Sequence, residues 1–189
     1  MLRLAIIAWL LALPAVAEEV VAGLSQTRIS ISTNFDGTEI LIFGAVKRED
    51  PIEAEPPLQV IVAVEGPSRT VTVRRKERRL GIWVNTDSVE VDRAPTFYAV
   101  NTSAPWHDVI TDTEDLRHNI SAERAIRLVG ANIEGVEDFS EALIRVRNDN
   151  SLYQRNIGAV NLVEQTLFDT AIRLPANLTE GDYKARFFL

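Results

Sequence analysis

Cysteine is missing from all 189 positions, which removes thiol catalysis, disulfide exchange and thiolate metal ligation from the chemistry open to this chain. A domain of this size does not require disulfides, because its core can suffice without them. Positive charge is outweighed: 20 Lys and Arg stand against 27 Asp and Glu, a formal net charge of −7. That balance argues against nucleic acid as a partner, since its binders present a clustered basic footprint. The chain has no Gly-x-Ser-x-Gly elbow, no phosphate-cradling glycine loop and no His-Glu-x-x-His. The usual signatures of hydrolase, nucleotide and zincin sites are therefore missing. Past residue 17, no apolar run approaches the roughly 20 residues that a bilayer-spanning helix needs.

What is present at the start is an export signal. Met1-Leu2-Arg3 supplies one positive charge, Leu4 to Leu13 is apolar, and Pro14 breaks the run before Ala15-Val16-Ala17 and Glu18-Glu19. Small residues at −3 and −1 ahead of an acidic pair match cleavage after Ala17. Removal of residues 1–17 takes away Arg3 alone and moves the formal charge from −7 to −8. The remainder, 18–189, is expected to be a single domain.

From Thr27 to Thr102 the hydrophobic period is mostly two, the spacing of half-buried strands. Arg28-Ile29-Ser30-Ile31-Ser32 alternates, and Asn34-Phe35-Asp36-Gly37 turns. Glu39 to Val46 reads as a strand buried on both faces, and Lys47 to Pro57 as an acidic, proline-bearing loop. Leu58–Glu65 and Thr70–Val73 read as further strands; a polar tip, Arg74 to Arg79, then leads into a partner strand, Leu80–Val84. Val89–Val91 and Thr96–Val100 add two more.

The middle of the chain changes character. Trp106 to Asn119 is acidic without alternation, Ser121 to Leu128 reads as a short helix capped by Ser121, and Ser140 to Asn148 as an amphipathic helix capped by Asp138 or Ser140. Leu152 to Val163 connects back. Thr166–Pro175 and Tyr183–Leu189 read as a closing hairpin. The expected fold is mainly β, an Ig-like antiparallel β-sandwich from residues 21–102 and 164–189 with an α-helical insertion at 106–160.

Three strings are distinctive: Asn34-Phe35-Asp36-Gly37-Thr38-Glu39-Ile40, the run from Val73 through Arg74-Arg75-Lys76-Glu77-Arg78-Arg79 to Asn85, and Thr113-Glu114-Asp115-Leu116-Arg117-His118. Together they resemble a family of uncharacterised alphaproteobacterial envelope proteins described as transmembrane. The resemblance runs along nearly the whole chain after the signal. It implies a signal peptide, a periplasmic domain and a C-terminal membrane anchor. This sequence departs from the last of these, reaching Phe187-Phe188-Leu189 inside an expected strand with no anchor helix. No residue inherits a role from the family.

Three surfaces compete for function. Arg74, Arg75, Lys76, Arg78 and Arg79 put five positive charges into six residues of an acidic protein, suited to anionic lipid headgroups or an acidic partner loop. Trp83 reads as core, whereas Trp106, after Pro105 in a non-periodic stretch, reads as exposed and joins that surface. His107, Asp108, Asp112, Glu114, Asp115 and His118 carry metal-ligand chemistry without a recognised ligand spacing. Ser103 near His107 and Asp108 stands too close in sequence for a triad.

These readings favour a periplasmic binding or accessory module, associated with the inner membrane in its complete form, that engages a membrane-protein partner. Neither an enzyme activity nor a cofactor is expected. The alternative is a periplasmic solute- or metal-binding domain using residues 107–118.

Overall fold

The computed structural model describes residues 19–25, 36–47, 57–128 and 135–189. The expected signal, the alternating run Arg28–Ser32 and most of the acidic loop before Pro57 lie outside the described residues. The chain is mainly β, with antiparallel sheets.

The first sheet has the order β1-β2-β10-β9, from β1 (Glu19–Leu24), β2 (Thr38–Lys47), β9 (Val160–Val163) and β10 (Leu167–Leu174). Along β10 the alternation is strict: Phe168, Thr170, Ile172 and Leu174 are buried, and the residues between them are not. Successive side chains of a strand leave opposite faces, so one layer beneath the sheet accounts for the pattern. β2 was expected to be buried on both faces but is buried on one. Ile42 and Val46 enter the core, while Leu41 and Phe43 (48% exposed) face outward, because no described residue covers that side.

The second sheet has the order β11-β3-β6-β8, from β3 (Ile61–Glu65), β6 (Tyr98–Thr102), β8 (Tyr153–Asn156) and β11 (Lys184–Phe188). Its two central strands are buried at every residue, so both faces are covered. One face meets the first sheet: Asn101 Nδ2 donates to Thr170 Oγ1 at 2.7 Å, and the Phe187 and Phe168 ring centroids lie 5.8 Å apart. The opposite face is closed by the segment around Ile120, whose carbonyl accepts from the Tyr98 hydroxyl at 2.7 Å. The stretch Leu152–Val163, read as a connection, instead supplies β8 and β9, and β8 runs parallel to β6. The two closing strands do not pair as a hairpin. β10 and β11 belong to different sheets, and Tyr183 secures the turn between them by donating to Thr179 O at 2.7 Å.

Among the described residues, four helices lie between β6 and β8: α1 (Trp106–Val109), α2 (Asp112–His118), α3 (Ala122–Ala125) and α4 (Val136–Asp149). Thr111 caps α2 by accepting from Glu114 N, whereas Ser121 makes no side-chain cap bond to α3. The expected helix 121–128 is cut short because Arg127–Leu128 forms β7, pairing with Arg93 and Val91 of β5 (Ile82–Pro95). α4 begins earlier than the capping pattern suggested, behind Gly135 at a φ of 72°. Phe139 and Leu143 are buried, but Val146 is not, so the apolar stripe ends a turn early.

Burial has a consequence at alkaline pH. Desolvation raises the Tyr98 hydroxyl to about 12, against the opposing charge of Arg186, and burial likewise raises Tyr153. An unfolded tyrosine titrates near about 10, so above that pH the unfolded state loses its proton first. Stability from these groups is complete below the unfolded pKa and is lost as pH rises through the folded one. Alkaline unfolding followed by tyrosinate absorbance is expected to be cooperative, and Tyr98→Phe to shallow the decline.

Candidate functional site

β4 (Ser68–Arg79) and β5 form a long antiparallel ribbon that leaves the body of the protein. It continues β3 and β6 through a bend at Gly66–Pro67, where Gly66 N donates to Phe97 O and Thr96 N to Pro67 O, both at 2.9 Å. The near half of the ribbon packs: Val71 and Val73 lie against the core, and Val91 is in it. α4 lies across the middle. Arg75 reaches Asp138 at 2.7 Å and stands 4.7 Å over the Phe139 ring.

Beyond Arg75, among the described residues, the ribbon adds nothing to the core cluster. A register shift falls between Arg75 and Lys76, and a bulge of this kind increases local twist and re-aims the strands that follow. Five residues, Lys76 to Leu80, then extend about 16 Å at the usual strand rise. The basic run read as a polar tip is strand throughout, and Leu80-Gly81, read as the start of the partner strand, is the turn itself, with φ of 50° and 86°. Positive φ at both positions is what a two-residue hairpin turn of matching twist requires, and Asn or Gly is the usual choice. Leucine there is disfavoured by roughly 1–2 kcal/mol.

Trp83 is not core. It is 69% exposed, Ile82 64%, and Leu80 fully so. Register places Trp83 opposite Arg78 and Ile82 opposite Arg79, so directly paired side chains share a face. The free end is therefore apolar at its apex and basic around it. Arg74, Lys76, Arg78 and Arg79 are exposed, with Arg79 3.3 Å from Glu77. Arg75 is committed to holding α4 and contributes least to the free surface. Trp106 does not join the others: it follows the far end of β6, half-buried, with Arg155 5.0 Å over its ring.

The acidic stretch folds into α1 and α2 and lines a groove of about 640 Å³ with Ile61, Phe187 and Phe188. His107, Glu114 and His118 all face this groove, but among the described residues no three His, Asp or Glu converge as metal ligands. Two of the carboxylates are used structurally. Asp115 Oδ1 accepts from Ile120 N and Ser121 N, and Glu114 holds Arg117 at 2.8 Å and His118 at 3.3 Å. Ser103 Oγ donates to Gln59 and accepts from Val60 N, which ties it to the strand rather than to His107.

One surface escaped the sequence reading. Leu41, Phe43, Val163 and Leu167 are exposed on the outer side of the first sheet, a consequence of β2 being covered on one face only. The alternation of β10 carried the signal for it.

A model of the family described as Putative transmembrane protein (Alph_Pro_TM) matches residues 19–189. No curated protein and no solved structure matches the chain. Among the described residues no helix is long and apolar enough to cross a membrane.

Proposed function

The chain belongs to the Alph_Pro_TM family, and from that membership we propose that it is a non-catalytic binding or accessory module of the cell envelope. In this reading an Ig-like sandwich, formed by the two four-stranded sheets, stands on the periplasmic side of the inner membrane. It holds the β4–β5 ribbon out toward a membrane-protein partner. The observation that carries the reading is the ribbon's free end, where Leu80, Ile82 and Trp83 are exposed beside Arg78 and Arg79. Apolar surface of this kind, ringed by charge, is retained where something docks, and Trp and Arg dominate docking energetics. The basic face also stands out against a chain of net charge −7, which favours an acidic partner surface.

The test is capture from the envelope fraction by a tagged full-length chain after crosslinking. One dominant membrane protein is expected with the unaltered chain. It is expected to be lost with Arg74→Glu, Lys76→Glu and Arg78→Glu combined, whose side chains are all exposed. Recovery of the same protein with the charge-reversed chain would overturn the reading.

The groove beside α2 supports a second reading, a solute-binding site, because His107 and His118 both line it with Phe187 and Phe188. Calorimetry with small carboxylates and divalent ions decides it, since a ligand of the native state raises the melting temperature.

A further inference from the structure

We propose that the ribbon's free end inserts into an anionic phospholipid bilayer, with Leu80 and Ile82 below the headgroups and Trp83 at headgroup level. Arg78 and Arg79 would then lie on the phosphates. The inference rests on the reading of the ribbon as the contact element and names the surface its apex meets.

Two observations converge with two general preferences. Leu80 is fully exposed at positive φ, a backbone and an environment that both disfavour leucine, and no contact among the described residues offsets either cost. Ile82 and Trp83 follow it and are also exposed, so the end of the ribbon is a small convex apolar wedge. Trp seats at membrane–water interfaces, where its amphipathic ring suits the headgroup layer. Long arginine and lysine side chains beside it can reach phosphates while their stems lie along apolar surface.

The shape favours lipid over protein for this apex. A specific protein interface needs about 800 Å² per partner; the strand faces behind the apex can supply that area, whereas a two-residue turn with three apolar side chains offers far less by itself. A bilayer needs no shape-matched partner surface. Charge supplies the orientation. Residues 74–83 carry five basic side chains and one acidic one, Glu77, in a chain of net −7. An anionic surface therefore repels the body of the protein and attracts this end. The only acidic group on the facing strand of this segment, Asp87, lies opposite Arg75 on the body side of the register shift; within the run Glu77 reaches Arg79 at 3.3 Å, an exposed pair of little strength that phosphate can replace.

The absence of cysteine makes the experiment clean. Leu80→Cys and, as a control on the exposed middle of β4, Thr72→Cys each give one site for an environment-sensitive NBD label. The labelled proteins are mixed with vesicles of phosphatidylcholine alone, or containing about one-third phosphatidylglycerol to supply negative surface potential. With anionic vesicles, the label at position 80 is expected to shift to the blue and to be quenched by lipids spin-labelled in the acyl chain. The label at position 72 is expected to do neither. Sedimentation of the unlabelled protein should show at least a roughly tenfold loss of anionic-vesicle binding for Leu80→Asp with Trp83→Asp, with a melting temperature no lower than that of the unaltered chain, since both side chains are exposed and aspartate suits positive φ better than leucine.

Binding without a shift at position 80 would mean adsorption by charge alone and would overturn insertion. Absence of vesicle binding, with envelope capture still dependent on the ribbon, would overturn the lipid assignment and leave the protein-docking reading standing. Loss of both would remove the two together.

Discussion

Asn101→Ala is expected to lower the unfolding free energy by about 3 kcal/mol, well beyond an ordinary surface change. Asn101 is fully buried in β6. Its amide donates to Thr170 Oγ1 at 2.7 Å and to Ala171 O at 3.1 Å, and its carbonyl accepts from Asn156 Nδ2 at 2.8 Å. Two neighbouring strands of the second sheet, β6 and β8, and β10 of the first thus meet at one side chain. Alanine would leave the Asn156 amide and the Ala171 carbonyl short of a partner where water is scarce, and the desolvation cost of each remains. Thr170 would keep one bond, since its hydroxyl donates to Ala159 O. Asn101→Asp does not rescue, because it turns a donor into an acceptor facing two oxygens. Urea unfolding checks this: the midpoint should fall with the slope unchanged. A loss under about 1 kcal/mol, the worth of a single ordinary hydrogen bond, would mean that the sheets are joined elsewhere.

Gly44→Val is expected to cost a similar amount, about 3 kcal/mol, by overpacking. Gly44 pairs across the strands with Phe168, whose ring fills the space a side chain would take. A Cβ at Gly44 would lie 2.5 Å from Phe168 Cζ and 2.9 Å from Val21 O. One obstacle is a buried ring and the other is backbone, so neither yields easily. Phe168→Leu in the same chain should recover part of the loss, a coupling of about 1 kcal/mol between touching residues. The sheet's outer face provides the contrast. Gly23 lies under Phe43, with a Cβ only 2.8 Å from the ring, but Phe43 is half exposed and can swing into solvent. Gly23→Ala should therefore cost much less than Gly44→Ala. Equal losses would contradict the assignment of inner and outer faces.

The strands legible in the sequence are those with clean alternation between turn signals. β10 and β11 fall where Thr166–Pro175 and Tyr183–Leu189 indicated, and β3 lies within Leu58–Glu65. β8 and β9 were not legible. Tyr153-Gln154-Arg155-Asn156 is short and polar, and its pairing with β6 is parallel and distant in sequence, so no local signal marks it. The ribbon was half legible. Its basic residues stand out as a charge run, but Ile82 and Trp83 look like core to any reading that assigns apolar residues to the interior. The turn carries Leu80 where Asn would have announced it. Trp106 resembles an interface anchor in sequence, yet β6 separates it from the basic run and Arg155 covers its ring.

The most direct test of the ribbon as the contact element is a photo-crosslinking scan of the full-length protein in intact envelopes. A photoreactive residue is placed singly at Lys76, Leu80 and Trp83, and for comparison at Phe43 and Ala171 on the outer face of the first sheet. The account predicts adducts from the ribbon positions, to a single membrane protein at Lys76 and to lipid at Leu80, with none from the sheet. Adducts confined to Phe43 and Ala171 would contradict it and move the contact surface to the exposed face of β2 and β10.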